Sequence, residues 1–189
     1  MRYAPEHNEL TRERILEAAS RLFREHGIAA VGLAKIMAEA DLTVGTFYTH
    51  FKSKEALLRE ALCRSLDSRH EVVEQALHGA DVETVVRAYL SPEHRDAAGT
   101  GCPVAALASE VARHPRATRN TFAFHNAPTL DALAAWLSSR QGKKVARADA
   151  AALLGLLAGT LQLARATPDR AESDAILEAG VRAAVRLAM

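Results

Sequence analysis

The sequence predicts an all-α chain of about nine helices, with a compact group of short helices at the N-terminus and a longer helical part after it. Three observations predict it. Ala and Leu are abundant, while Gly (10), Pro (6) and aromatic residues (5%) are sparse, a usage that favours helix over sheet. Apolar residues recur at helical spacing along most of the chain. No alternating stretch of convincing strand length occurs.

Ile15, Ala18, Ala19, Leu22 and Phe23 share one helix face. With Thr11 as a cap and Gly27 as a stop, they predict a first helix over about 11–26. Leu33, Ile36, Met37 and Ala40 mark a second over 33–40. Asp41-Leu42 makes a tight turn, Thr43 caps a third over 44–50, and Ser53 caps a fourth. That fourth helix carries Leu57, Leu58, Ala61, Leu62, Leu66, Val73, Ala76 and Leu77 on to about His78, before Gly79. Further helical patterns cover about 81–90, 103–113, 115–140, 145–166 and 173–187, the last capped by Ser173. Breaks fall at Ser91-Pro92, Gly99-Thr100-Gly101, His114-Pro115, Gln141-Gly142 and Thr167-Pro168, each with turn chemistry.

A chain of 189 residues that is 49% apolar and 25% charged has an ordinary globular composition with ample material for a core. Its net charge of +1 does not announce a nucleic-acid partner, so any such binding must rest on a local arrangement. Cys63 and Cys102 match no zinc spacing and no disulfide framework. The N-terminus lacks the shape of a signal peptide. The most apolar stretch, Ala150 to Ala164, falls short of the roughly 20 residues of a spanning helix. The expected location is the cytoplasm.

The second and third helices, joined by a short turn, form a helix-turn-helix, a motif whose second helix can enter the DNA major groove. Leu33, Ile36 and Met37 hold the pair together. Thr43, Val44, Gly45, Thr46, Tyr48, Thr49 and His50 are the small or polar residues that base contacts require. Residues 1–60 carry nine acids and nine bases, yet no acid occurs from Leu42 to Lys54, where His50, Lys52 and Lys54 gather. Lys35 on the second helix completes the expected DNA-facing set. Arg2 either enters the minor groove or belongs to a disordered arm.

Thr43-Val44-Gly45-Thr46-Phe47-Tyr48-Thr49-His50-Phe51-Lys52-Ser53-Lys54-Glu55 closely resembles the signature of the TetR (tetracycline-repressor) family of transcriptional regulators. Upstream, Ile15-Leu16-Glu17-Ala18-Ala19 with Leu22-Phe23 and Gly27 looks like that family's first helix, and Ile36 with Met37 like its second. The resemblance covers about residues 10–62. It implies that Val44, Gly45 and Thr46 face bases, that Tyr48, His50 and Lys54 meet phosphates, and that Phe47 and Phe51 are buried anchors. Two positions depart from the pattern. Gly32 stands where the family usually has a capping Thr, and Asp41 where it usually has Gly.

The resemblance further implies a helix-turn-helix DNA-binding domain over 8–68 and a helical effector-binding and dimerisation domain over 69–189. The implied function is a ligand-responsive repressor that binds a palindromic operator as a homodimer and is released by a small molecule. Helices 145–166 and 173–187 would form the dimer, and Gly155, Gly159 and Gly180 permit close helix approach. Expected walls of the effector pocket are Leu66, His70, Tyr89, Cys102, Phe122, His125 and Trp136. Pro128 should kink or interrupt its helix and open space nearby. Pro103 suits a first helical position, which puts Cys102 at the cap, where it is either an oxidant sensor or an inert packing residue. The segment from His94-Arg95-Asp96 through Gly101-Cys102-Pro103-Val104 also looks like a subset of these regulators.

No cofactor or metal is expected. His94, His114, His125 and Cys102 have no tight ligand spacing. An enzyme is the competing class, but the chain has no phosphate loop and no Gly-x-Ser-x-Gly turn. A module that has lost DNA binding is the third, with slight support from Gly32 and Asp41. Activation rather than repression also stays open.

Overall fold

A computed structural model describes residues 5–189, with side chains from residue 8. Its ten helices are α1 (Pro5–His26), α2 (Leu33–Glu39), α3 (Val44–His50), α4 (Lys54–Leu77), α5 (Val82–Tyr89), α6 (Pro92–Asp96), α7 (Pro103–Val111), α8 (Arg116–Gln141), α9 (Arg147–Ala166) and α10 (Arg170–Ala188). The chain is all-α among the described residues, with the short helix-turn-helix group ahead of the larger helical part. Arg2 lies outside the described residues.

Most caps follow the local chemistry. Gly27 at φ 83° and Gly79 at φ 69° take the left-handed conformation that ends α1 and α4. Ser53 accepts the Ala56 N–H at 3.1 Å and starts α4.

Four expectations need correction. First, α1 begins at Pro5, so Thr11 is a buried residue inside the helix and not its cap. Proline is tolerated in a first helical turn, and nothing between it and Thr11 breaks a helix. Second, Ser91-Pro92 opens the extra helix α6, where Ser91 accepts the His94 N–H at 3.2 Å. A five-residue helix is too short to show periodicity. Third, Ser173 does not cap the last helix. Asp169 does, accepting the Glu172 N–H at 2.8 Å, while Ser173 donates from inside the helix to Ala164 O at 2.7 Å. An acidic cap with Glu three residues on is the stronger start signal. Fourth, of the kink or interruption expected at Pro128, the interruption does not occur, since α8 runs on through it.

Two apolar clusters organise the chain. One gathers Ile15, Leu22 and Phe23 of α1, Ile36 and Met37 of α2, Phe47 of α3 and Leu57 to Leu66 of α4, closed by Leu107 and Val111 of α7. The other joins Leu77, Tyr89, Leu133, Trp136, Leu153, Leu157, Leu161, Leu177 and Val181. Each large apolar side chain fully buried contributes about 1.5–3 kcal/mol. α4 serves both, with its first half in one cluster and Leu77 in the other, and packs along α8. It is thus the rod that connects the two.

α9 and α10 pack side by side. At Gly180 a Cβ would collide with Thr160 of α9 and approach Leu90, so this glycine is where the pair closes. Gly155 and Gly159 have nothing within 4 Å of such a Cβ and face outward. α6 is held against this pair by Arg95, which reaches Ser173 at 3.0 Å and Asp174 at 2.5 Å. Arg95 and Arg170 hold the Asp96 carboxyl down at about 2. No described helix is long and apolar enough to cross a membrane.

Candidate nucleic-acid interface and effector cavity

The turn between α2 and α3 is built by the backbone. Leu42 N–H donates to Met37 O at 2.8 Å and Asp41 N–H to Ala38 O at 3.0 Å, with Asp41 left-handed at φ 55°. These bonds close the end of α2 in a Schellman arrangement, and Asp can occupy the left-handed position that Gly fills more readily. Arg14 of α1 donates to Ala40 O at 2.6 Å and braces the turn.

α3 is anchored from beneath. Phe47 is fully buried and stacks on Phe51 with ring centres 5.7 Å apart. The opposite face carries Val44, Gly45, Tyr48 and Thr49, all exposed, with Tyr48 66% exposed. A Cβ at Gly45 would meet only Thr43 Oγ1, at 3.8 Å, so the backbone there is bare. Thr43 caps α3 by position, but its hydroxyl bonds the Thr46 hydroxyl at 3.1 Å and not a helix N–H. Thr49 donates to Thr46 O at 2.6 Å. Lys35 and Lys52 are exposed and Thr46 is half-buried. Burial and the nearby Arg12 lower the His50 pKa, so its imidazole is neutral at pH 7. Lys54 turns inward: its ammonium donates to Ile28 O at 2.7 Å and lies 5.9 Å from the Phe23 ring centre. Two of its protons stay free for another acceptor.

A cavity of about 430 Å³ lies among α4, α5, α8 and α9, walled by Val73, Leu77, Tyr89, Cys102, Asn126, Thr129, Leu133 and Leu157 among others. Its size and apolar lining fit a small organic molecule. Of the residues expected from the sequence, it gathers Tyr89 and Cys102. Leu66 sits in the N-terminal cluster, and Phe122 packs against that cluster. His125 bonds Asp67 at 2.7 Å. Trp136 is in the C-terminal cluster, its indole N–H 3.4 Å from Ala80 O. His70 is half-buried, with Nδ1 unpartnered and Nε2 3.7 Å from Glu74.

The cavity's polar end is hydrogen-bonded through His94. His94 Nδ1 donates to Tyr89 O at 2.6 Å, and its Nε2 accepts the Cys102 N–H at 2.9 Å. Burial, together with the positive Arg69 and Arg165, brings the His94 pKa down to about 4 despite the Tyr89 carbonyl, so the ring is neutral. Cys102 caps α7 by position, but its side chain is buried and caps no N–H. Among the described residues the buried Tyr89 hydroxyl meets no partner in hydrogen-bond geometry, and burial beside Cys102 raises its pKa well above the usual value.

Three contacts tie the elements around the cavity to the helix-turn-helix, and sequence reasoning misses them. Arg24 of α1 donates to Gly99 O and to Ser65 Oγ, both at 2.6 Å. Glu110 of α7 accepts the N–H groups of Ile28 and Ala29. Glu55 of α4 accepts from His114 and Thr118. One signal was available: Glu110 is the lone charged residue of α7.

Residues 15–61 match the profile of the family described as bacterial regulatory proteins, tetR family. The HTH-type transcriptional regulator TtgR of Pseudomonas putida is 37% identical over 81 residues, 43% of this chain and 38% of TtgR. UidR of Escherichia coli, also an HTH-type transcriptional regulator, is 30% identical over 107 residues, 56% of this chain and 54% of UidR. The chain spans about half or less of the length of such curated relatives. A TetR-family transcriptional regulator from Cytophaga hutchinsonii has the same fold, with a TM-score of 0.74 at 22% identity over 98% of both chains. Helix-turn-helix geometry and profile match agree over residues 15–61, and the chain as a whole shares the fold of the Cytophaga hutchinsonii protein.

Proposed function

We propose that the protein is a cytoplasmic transcriptional repressor that binds a near-palindromic operator as a homodimer and releases it when a small molecule fills the cavity. It has no catalytic role in this reading. The observation that carries it is the pairing of an exposed, acid-free recognition helix with a cavity lined by Thr100, whose neighbour Gly99 is bonded to α1 through Arg24. An effector that displaces this rim shifts the helix-turn-helix, and a coupling of roughly 1–3 kcal/mol suffices.

A lone helix-turn-helix reads only a few base pairs, and two recognition helices about 34 Å apart read a palindrome. The outward face of α9 supplies the dimer surface. Gly155 and Gly159 leave room for a facing helix, and Leu163 is 63% exposed. The helical unit after α4 is the effector-binding and dimerisation part, and Val44, Gly45, Thr46, Tyr48 and Lys52 are the residues that meet DNA.

The test is a footprint on the DNA beside the protein's own gene, repeated with small molecules that raise its melting temperature. Protection of a short inverted repeat that such a molecule abolishes supports the reading. A ligand that stabilises the protein and leaves DNA affinity untouched removes the inducer role. Gly32 favours a second reading, a module that has lost DNA binding, because α2 starts without any side-chain cap. The absence of any salt-sensitive duplex binding would select it.

A further inference from the structure

The apolar cavity opens beside a polar cleft of about 310 Å³, and Arg69, Val72, Thr100 and Gly101 line both. The cleft holds four arginines. Arg21 is paired with Glu25 and Glu39, and Arg64 with Glu13. Arg24 and Arg69 have no carboxylate within ion-pair distance among the described residues. Arg24 bonds a carbonyl and a hydroxyl, and burial lowers its pKa against the partly offsetting charge of Glu25. Arg69 lies over the Tyr89 ring at 5.5 Å. Three acids reach the rims, Glu17 and Glu25 at the cleft, the latter against Gly99, and Glu93 at the cavity, and all three are exposed.

A half-buried guanidinium without a counter-anion is costly, and an anion arriving there recovers that cost. We infer that the effector is an anionic amphiphile, with its apolar body in the cavity and a carboxylate or phosphate head at the shared rim, held by Arg69 and within reach of Arg24. This rests on the reading of the cavity as the effector site. It also names the coupling: a head that draws Arg24 competes with Gly99 O and Ser65 Oγ, the bonds that tie the rim to α1 and α4.

Isothermal titration of the intact protein with dodecanoate, dodecyl phosphate and 1-dodecanol tests it. One saturable site per chain is expected, with at least one anion bound about tenfold or more tighter than the alcohol, as one charge-assisted hydrogen bond provides. Preference for only one anion identifies the head. Arg69→Gln should abolish that preference, while Arg69→Lys should keep most of it, and melting curves check that both variants fold. Equal binding of anion and alcohol, or a preference indifferent to Arg69→Gln, overturns the charged head and leaves the cavity as an effector site. No binding by any of the three overturns the amphiphile. A compound from another class that binds and releases DNA would still uphold the proposed function.

Discussion

Glu110 and Ile28 join the two halves of the chain. One carboxylate oxygen of α7 accepts the Ile28 N–H at 3.0 Å, and the other accepts the Ala29 N–H at 2.9 Å, on the turn just before α2. Glu110→Ala leaves both donors without a protein partner. Part of that turn reaches solvent, so the expected loss is about 1–2 kcal/mol of stability in urea unfolding. Operator affinity should fall as well, because the turn positions α2. Glu110→Gln, which keeps one acceptor, should lie between. Unchanged stability in Glu110→Ala would show that the contact is dispensable.

Lys52 is exposed in the acid-free window, whereas Lys54 is already bonded to Ile28 O. Lys52→Ala should weaken binding to all duplexes alike and lower the salt slope by about 0.9. Lys54→Ala should lower the melting temperature in addition. A Thr46 substitution should instead change sequence preference, by about 1–3 kcal/mol at the base it meets. Titrations at several salt concentrations separate these effects.

His94 makes stability depend on acid. Its folded pKa of about 4 lies below the ordinary histidine value of about 6.5. The unfolded chain therefore takes up this proton first, so the contribution is complete above about pH 6.5 and is lost as pH falls towards 4. Allowing for the ring's partial exposure, the loss is on the order of 2 kcal/mol. Protonation also removes the Nε2 lone pair that accepts the Cys102 N–H. Denaturation between pH 4 and 7 should slope less steeply in His94→Gln than in the wild type. Parallel slopes would assign the acid sensitivity elsewhere.

Gly180 lies between α9 and α10 and Gly159 on the outer face of α9, so the two should respond differently to enlargement. At Gly159 an added Cβ meets nothing within 4 Å among the described residues, so with Gly159→Leu the fold should persist while sedimentation shifts towards a monomer. Gly180→Leu meets Thr160 and Leu90 and should destabilise the fold itself by about 1–3 kcal/mol. A Gly159→Leu protein that stays dimeric would move the interface off this face of α9.

The helix-turn-helix was legible in the sequence because its determinants are neighbours in the chain. Gly27, Asp41, Thr43 and Ser53 mark turns and helix starts within a few residues, and Phe47 and Phe51 follow the period of the helix they anchor. The signal for α6 was equally local, but five residues carry no period. The cavity was another matter. Its walls come from α4, α5, α8 and α9, and the ties to the helix-turn-helix pair residues as far apart as Ile28 and Glu110, 82 positions. Periodicity says that one face of a helix is apolar but not which helix it meets, so Trp136 and Phe122 looked as eligible for the pocket as Tyr89.

Chain-local chemistry thus determined where the helices lie and which of them is shaped to read DNA, since a cap or a turn is satisfied by residues beside it. Only the tertiary structure decided that Gly180 faces inward and Gly159 outward, that Glu110 holds the turn before α2, and that Arg24 and Arg69, unpaired with any carboxylate within ion-pair distance among the described residues, meet in the cleft beside the cavity. Those outcomes depend on the angles at which helices cross, which distant side chains settle together.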